Sequence, residues 1–93
     1  MNLQFETIAK ENIPQLVFPK TDVLQDETAI KERFSDLNRA LSLGNLEHSK
    51  IKIYFEDDQS KKVVETTVWG LTDHRVILKQ GNVIPINRIY KSV

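Results

Sequence analysis

The chain has 93 residues, 40% hydrophobic and 28% charged, with 13 basic side chains balanced by 13 acidic ones. That is room for one domain around one core, and the neutral balance is unlike the basic composition usual in nucleic-acid binders. There is no cysteine, which excludes disulfides, thiolate metal sites and thiol catalysis and fits a reducing compartment.

The N-terminus MNLQFETIAKENIPQ lacks the basic stretch and apolar stretch of a secretory signal. No apolar run approaches the ~20 residues a membrane span needs, so a cytoplasmic location without membrane partners is expected. Charge is unevenly spread. Residues 1–49 carry 5 basic and 8 acidic residues, and residues 50–93 carry 8 basic and 5 acidic. After Asp73 there is no acid, only Arg75, Lys79, Arg88 and Lys91, an asymmetry that can mark a basic face.

In chain order, residues 2–8 alternate weakly, with Leu3 and Phe5 on one side, and suit a short strand or extended arm. Pro14 and Pro19 flank the apolar run Leu16-Val17-Phe18. Proline removes a backbone donor and pushes its predecessor towards extended conformations, so an extended lead-in is expected here, neither a helix nor a central strand. Its apolar residues either lie across the main body or wait for a partner.

Ile30, Phe34, Leu37 and Leu41 recur at helical spacing, with Val23 one heptad earlier, and predict an amphipathic helix over 23–44. Lys31, Glu32, Ser35, Asp36 and Asn38 form its expected solvated face. Asp26 is a candidate N-cap and Asp22 an earlier alternative. Gly44 is the expected left-handed terminator, with Leu46 folding back as a seal.

The period then changes to two. Ile51, Ile53 and Phe55 predict a half-buried strand, and Glu56-Asp57-Asp58 with Gln59 and Ser60 a solvated hairpin tip. Val64, Thr66 and Val68 follow, with a bulge or bend expected at Gly70. Val76 and Leu78 mark another strand, Gln80-Gly81-Asn82 a tight hairpin, and Pro85 an edge position. Asn87-Arg88 is a tight turn before a short last strand at Ile89-Tyr90. The expected fold class is α+β in a single domain: an extended arm (1–22), one helix (23–44), and a strongly bent antiparallel sheet of about five strands over 50–93, partly closed with the helix across it.

A helix followed by five short strands, with a helical turn at Ile84-Pro85-Ile86-Asn87-Arg88-Ile89 before a very short last strand, resembles the Sm-like and SH3-like small barrels. The stretch TTVWGLTDHRVILKQGNVIPINRIYKSV is also similar to small bacterial proteins of uncharacterised role. A second resemblance is to bacterial pleckstrin-homology-like domains, carried by Thr72-Asp73-His74-Arg75 and by Ile84-Pro85-Ile86-Asn87-Arg88-Ile89. The first resemblance implies a barrel scaffold, and, as in many Sm-like proteins, RNA binding and self-assembly.

No glycine-rich phosphate loop, nucleophile–base pair or metal spacing is visible around His48 or His74, so no cofactor, small-molecule substrate or enzymatic activity is expected. Two binding surfaces stand out. Leu16, Val17 and Phe18 form a candidate arm for a protein partner or a second copy. Trp69, with Arg75, Lys79, Arg88 and Lys91, forms a candidate basic face that could stack on bases and contact phosphates of RNA.

Overall fold

The computed structural model describes residues 5–93, so Leu3 of the predicted first strand lies outside the described residues. One helix, α1 (Glu27–Glu47), is followed by most of the strands: β1 (Glu6–Thr7), β2 (Ile51–Glu56), β3 (Lys61–Thr66), β4 (Val68–Leu71), β5 (Arg75–Leu78), β6 (Val83–Pro85) and β7 (Ile89–Ser92). The fold is α+β, as expected, but the strands form two sheets in place of one bent sheet. Their orders are β1-β3-β2-β7 and β4-β5-β6, and they do not close into a barrel. The division falls at Thr67. Residues before it pair with β2, residues after it pair with β5, and Thr67 itself gives its carbonyl to the Lys79 amide. A bulge then shifts the register between Val68 and Gly70, beside the glycine where a bend was expected.

The period-two pattern places the core well. Ile51, Ile53 and Phe55 face inward against Val64, and Val68, Val76, Leu78, Ile84 and Ile89 complete the buried cluster with Leu37 and Ala40 of α1. The Gln80–Asn82 hairpin forms with Gln80 and Gly81 at positive φ. Pro85 sits in β6, an edge strand of its sheet, where its missing donor costs no ladder bond.

Three expectations about the helix and lead-in are overturned. First, α1 turns a different face inward. Arg33, Leu37, Ala40 and Gly44 are buried, whereas Phe34 is 45% exposed and Ile30 and Leu41 are half-buried. The small side chains at Ala40 and Gly44 let the helix approach the sheet closely, and Arg33 tolerates burial because Asp22 neutralises it. Second, the helix is shifted along the chain: it begins at Glu27 behind the Asp26 cap, whose carboxylate accepts the Ala29 amide at 3.0 Å, so Val23 stays in the lead-in, and it does not stop at Gly44. It runs on to Glu47, and His48 takes the left-handed conformation at φ 55° while its amide donates to the Gly44 carbonyl. Histidine is among the non-glycine residues that enter this region most often. Leu46, the expected seal, is 80% exposed.

Gly44 is therefore kept for space. A Cβ added there would run into the Val68 carbonyl oxygen and approach the Thr67 methyl at 3.2 Å, so α1 would have to lift from β4. Gly44→Val is expected to destabilise the fold by about 2–3 kcal/mol, the upper range for overpacking a tight contact. Urea denaturation measures this, and an unchanged midpoint would show that the helix does not lie against β4 in this way.

Third, the lead-in is not extended throughout. Lys10–Gln15 forms a 3-10 turn containing Pro14. Proline's fixed φ suits a short helical turn, and the Asn12 and Leu16 amides donate to the Ala9 and Ile13 carbonyls. The turn drives Ile13 into the core at 2% exposure. Leu16 and Phe18 pack against the same core, with Phe18 tilted on Phe55 at 6.0 Å between ring centres. Val17 alone points out, at 62% exposure, and its carbonyl accepts the Asp58 amide. The lead-in thus closes over the chain's own body. Asn82 reaches from the loop before β6 to donate to the Lys10 carbonyl, which ties it to the smaller sheet.

Candidate functional site

The basic face expected from the sequence is not assembled. Arg75 is exposed at the start of β5 and Lys79 in the turn just after its end, and Lys91 is exposed on β7 in the other sheet, with its ammonium 5.1 Å from the Tyr54 ring centre. Arg88 is 6% exposed and serves as a structural clamp. Its Nε donates to the Glu56 carbonyl at 3.0 Å, and Nη1 donates to the Thr21 carbonyl at 2.8 Å. It therefore ties the lead-in to the β2–β3 turn and has no free face for a phosphate. Trp69 is exposed, at 53%, on the bulge of β4, away from the core. Of the arm residues, Leu16 and Phe18 are used internally and only Val17 is free to meet a partner.

The β2–β3 turn is a solvated tip only at Asp58 and Gln59, which are exposed. Asp57 is 2% exposed, and its Oδ1 accepts from the Gln59 amide, the Ser60 amide and Lys62 Nζ at 3.1, 2.9 and 3.0 Å. Burial works to raise its pKa, but these donors outweigh it and hold the carboxyl below the usual carboxylate range. Nearby, the Tyr90 hydroxyl donates to Glu56, and burial followed by that carboxylate pushes the phenol up to about 12. These groups brace the turn.

What the fold leaves open is a groove beside the first half of α1. The rotation of the helix that buries Arg33 turns Phe34 and Ile30 outward. Together with Ile86 below and Lys31, Ser35, Asn38 and Asp73 around them, they line a hollow of about 690 Å³. A second hollow, of about 600 Å³, continues from it, lined by Lys20, Asp22, Arg33, Asp73, His74, Arg75, Ile86 and Asn87. Arg33, Asp73 and Ile86 belong to both, so they are two lobes of one groove. Each lobe falls within the size range of small binding sites, ~300–1,000 Å³.

Arg33 is the floor. Its Nη1 and Nη2 donate to the two Asp22 carboxylate oxygens at 2.8 and 3.0 Å, and Nη1 also donates to the Ile89 carbonyl at 3.1 Å. This paired geometry joins the lead-in, α1 and β7. The Arg33 hydrogen bonds, with help from the Leu24 amide, hold the Asp22 carboxyl below its ordinary value against the opposing effect of burial.

The wall opposite the helix is the β4–β5 turn, shaped by Thr72. Its hydroxyl accepts the His74 and Arg75 amides at 3.2 and 3.1 Å, and its amide donates to the Arg75 carbonyl. That local bonding is what presents Asp73, His74 and Arg75 along the rim.

Comparison with known protein families, with curated proteins and with solved structures finds no match. The site is therefore interpreted from its own chemistry. Among the described residues, no group of three or more His, Asp or Glu side chains is placed to hold a metal ion; His48 closes α1 and His74 lies in the β4–β5 turn. No helix is long and apolar enough to cross a membrane.

Sequence reasoning missed this groove for one reason: counting apolar spacing puts Phe34 on the buried face. The small residues Ala40 and Gly44, in line with Leu37, were the signal that the contact face is turned towards Arg33.

Proposed function

We propose that this chain is a non-enzymatic binding module on a two-sheet scaffold that resembles an opened small barrel, and that the groove beside Phe34 engages another protein chain. The order of elements supports the scaffold reading. A helix precedes six short strands, or five if β3 and β4, separated by Thr67 alone, are counted as one bent strand. The first of these, β2, pairs with both β3 and the last, β7, and a 3-10 turn at Ile86–Arg88 precedes the last. Sm-like and SH3-like barrels resemble this order, although here the two sheets stay open.

One observation carries the binding reading: a phenylalanine 45% exposed in a concave surface beside Ile30 and Ile86. Apolar aromatic anchors in a pocket supply much of the energy of protein interfaces. The alternatives on the surface are weaker. The lead-in is occupied by its own core, β6 is blunted by Pro85, β1 is only two residues long, and β4 and β7 both lie against α1, so strand addition at an edge is disfavoured. The test is to pan random displayed peptides against the immobilised chain and measure the enriched ones on wild type and on Phe34→Ser. Binding is expected to fall at least about tenfold in the variant, the ~1.4 kcal/mol or more of a lost anchor. No enrichment, or equal affinity for both proteins, would end the reading.

A second reading, RNA binding, draws support from the exposed Trp69 on its bulge together with Arg75, Lys79 and Lys91. It predicts association that weakens steeply with salt as counterions are released. Absence of binding to single-stranded RNA at low salt would remove it.

A further inference from the structure

We infer that the groove beside α1 selects a partner segment that is acidic as well as apolar, placing one or more carboxylates a short distance from a bulky apolar side chain. This deepens the docking reading above and rests on it.

The two lobes differ in chemistry and are joined. The first is lined by Ile30, Phe34 and Ile86 and offers an apolar side chain a place to leave water. The second holds Lys20, His74 and Arg75 at its mouth, above the Arg33–Asp22 pair. Asp22 absorbs the Arg33 charge. Among the described residues, neither Lys20 nor Arg75 has an ion-pair partner. The floor also holds an unsatisfied donor, because Arg33, 4% exposed, has no acceptor for its Nε among the described residues. Across the two lobes, among the described residues, the unpaired cations Lys20, Lys31 and Arg75 outnumber the one unpaired carboxylate, Asp73, and an acidic side chain complements that excess.

Asp73 decides between kinds of polyanion. It sits where the lobes join, and a phosphate backbone running through both would meet its carboxylate. A single acidic side chain can pair with Lys20 or Arg75 and meets at most this one carboxylate, while the apolar side chain occupies the other lobe. An acidic and apolar protein segment therefore fits better than a nucleic acid.

The test uses two synthetic peptides built on a sequence recovered by panning, one with its Asp and Glu residues and one with Asn and Gln in their place. Affinities are measured by fluorescence anisotropy on wild type, Phe34→Ser, Arg75→Glu and Lys20→Glu. The acidic peptide is expected to bind wild type at least about tenfold more tightly than the amide version. Arg75→Glu or Lys20→Glu should abolish that preference without moving the melting temperature, since both side chains are exposed and unpaired. Phe34→Ser should weaken both peptides alike.

Equal binding of the two peptides by wild type would overturn the inference and leave the docking reading standing. Binding insensitive to Phe34→Ser would overturn both. So would two other results: an RNA oligonucleotide that binds in an Arg75-dependent way while no peptide does, or a dimer, seen by light scattering, that Phe34→Ser dissolves and that excludes the peptides.

Discussion

Replacing Asp57 with alanine is expected to cost about 3–5 kcal/mol, the range for removing one partner of a buried ion pair. The Asp57 side chain is 1% exposed and Lys62 9%, so the ammonium left behind would keep only the Ser60 hydroxyl, at 2.7 Å. The Gln59 and Ser60 amides would lose their acceptor in the same step. A domain of this size has about 5–14 kcal/mol of total stability, so the variant should sit near the edge of folding. Asp57→Asn, which can still accept from the turn amides but carries no charge for Lys62, should fall between the two. Urea unfolding distinguishes these outcomes, and a loss below about 1 kcal/mol for the alanine variant would contradict the buried-pair description.

The same carboxylate sets a pH dependence, shared with Asp22. Both have folded pKa values below the ordinary 3.8, so on acidification the unfolded chain takes up protons first. The stability they contribute is fully present at neutral pH, begins to fall as the pH drops through about 4, and is lost below their lowered folded values.

Removing Asp22 is the second large change. Asp22→Ala leaves the Arg33 guanidinium enclosed with the Ile89 carbonyl as its remaining acceptor. About 3 kcal/mol is expected, the low end of the range because Asp22 is itself one-third exposed. The informative control is the double variant Asp22→Ala/Arg33→Met. Replacing a buried pair by an apolar side chain of similar length is often close to neutral, so the double variant should recover most of the loss. If the double variant is instead less stable than Asp22→Ala alone, the pair holds the lead-in on α1 by more than charge compensation.

These two networks also mark where the sequence is readable and where it is not. Local signals place α1 and its Asp26 cap, the Ile51–Phe55 strand, the Gln80–Asn82 hairpin and the turn at Asn87–Arg88, because each depends on neighbours within a few residues. The inward face of α1 depends on Asp22, eleven residues before Arg33, and on the Val68 carbonyl against Gly44. The helical spacing hints at the close contact only through the small residues Ala40 and Gly44, and carries nothing of Asp22. Arg88 is similar. As one of four cations after Asp73 it suggests a basic face, and only the Glu56 and Thr21 carbonyls, 32 and 67 residues away, explain why it is buried. Once those long-range partners are known, the basic face loses a member and the Phe34 groove appears. The lead-in follows the same logic: two prolines suggest an extended arm, while the burial of Ile13 depends on a core that the N-terminal residues do not themselves encode.

Backbone amide shift mapping shows directly whether the contact surface lies beside the first half of α1. Titrating the isotope-labelled chain with a peptide enriched by panning should perturb the amides of Ile30, Phe34, Asn38, Asp73 and Arg75 first and most strongly. Shifts confined to Trp69, or to Lys52, Tyr54 and Lys91 on the outer face of the larger sheet, would contradict that placement.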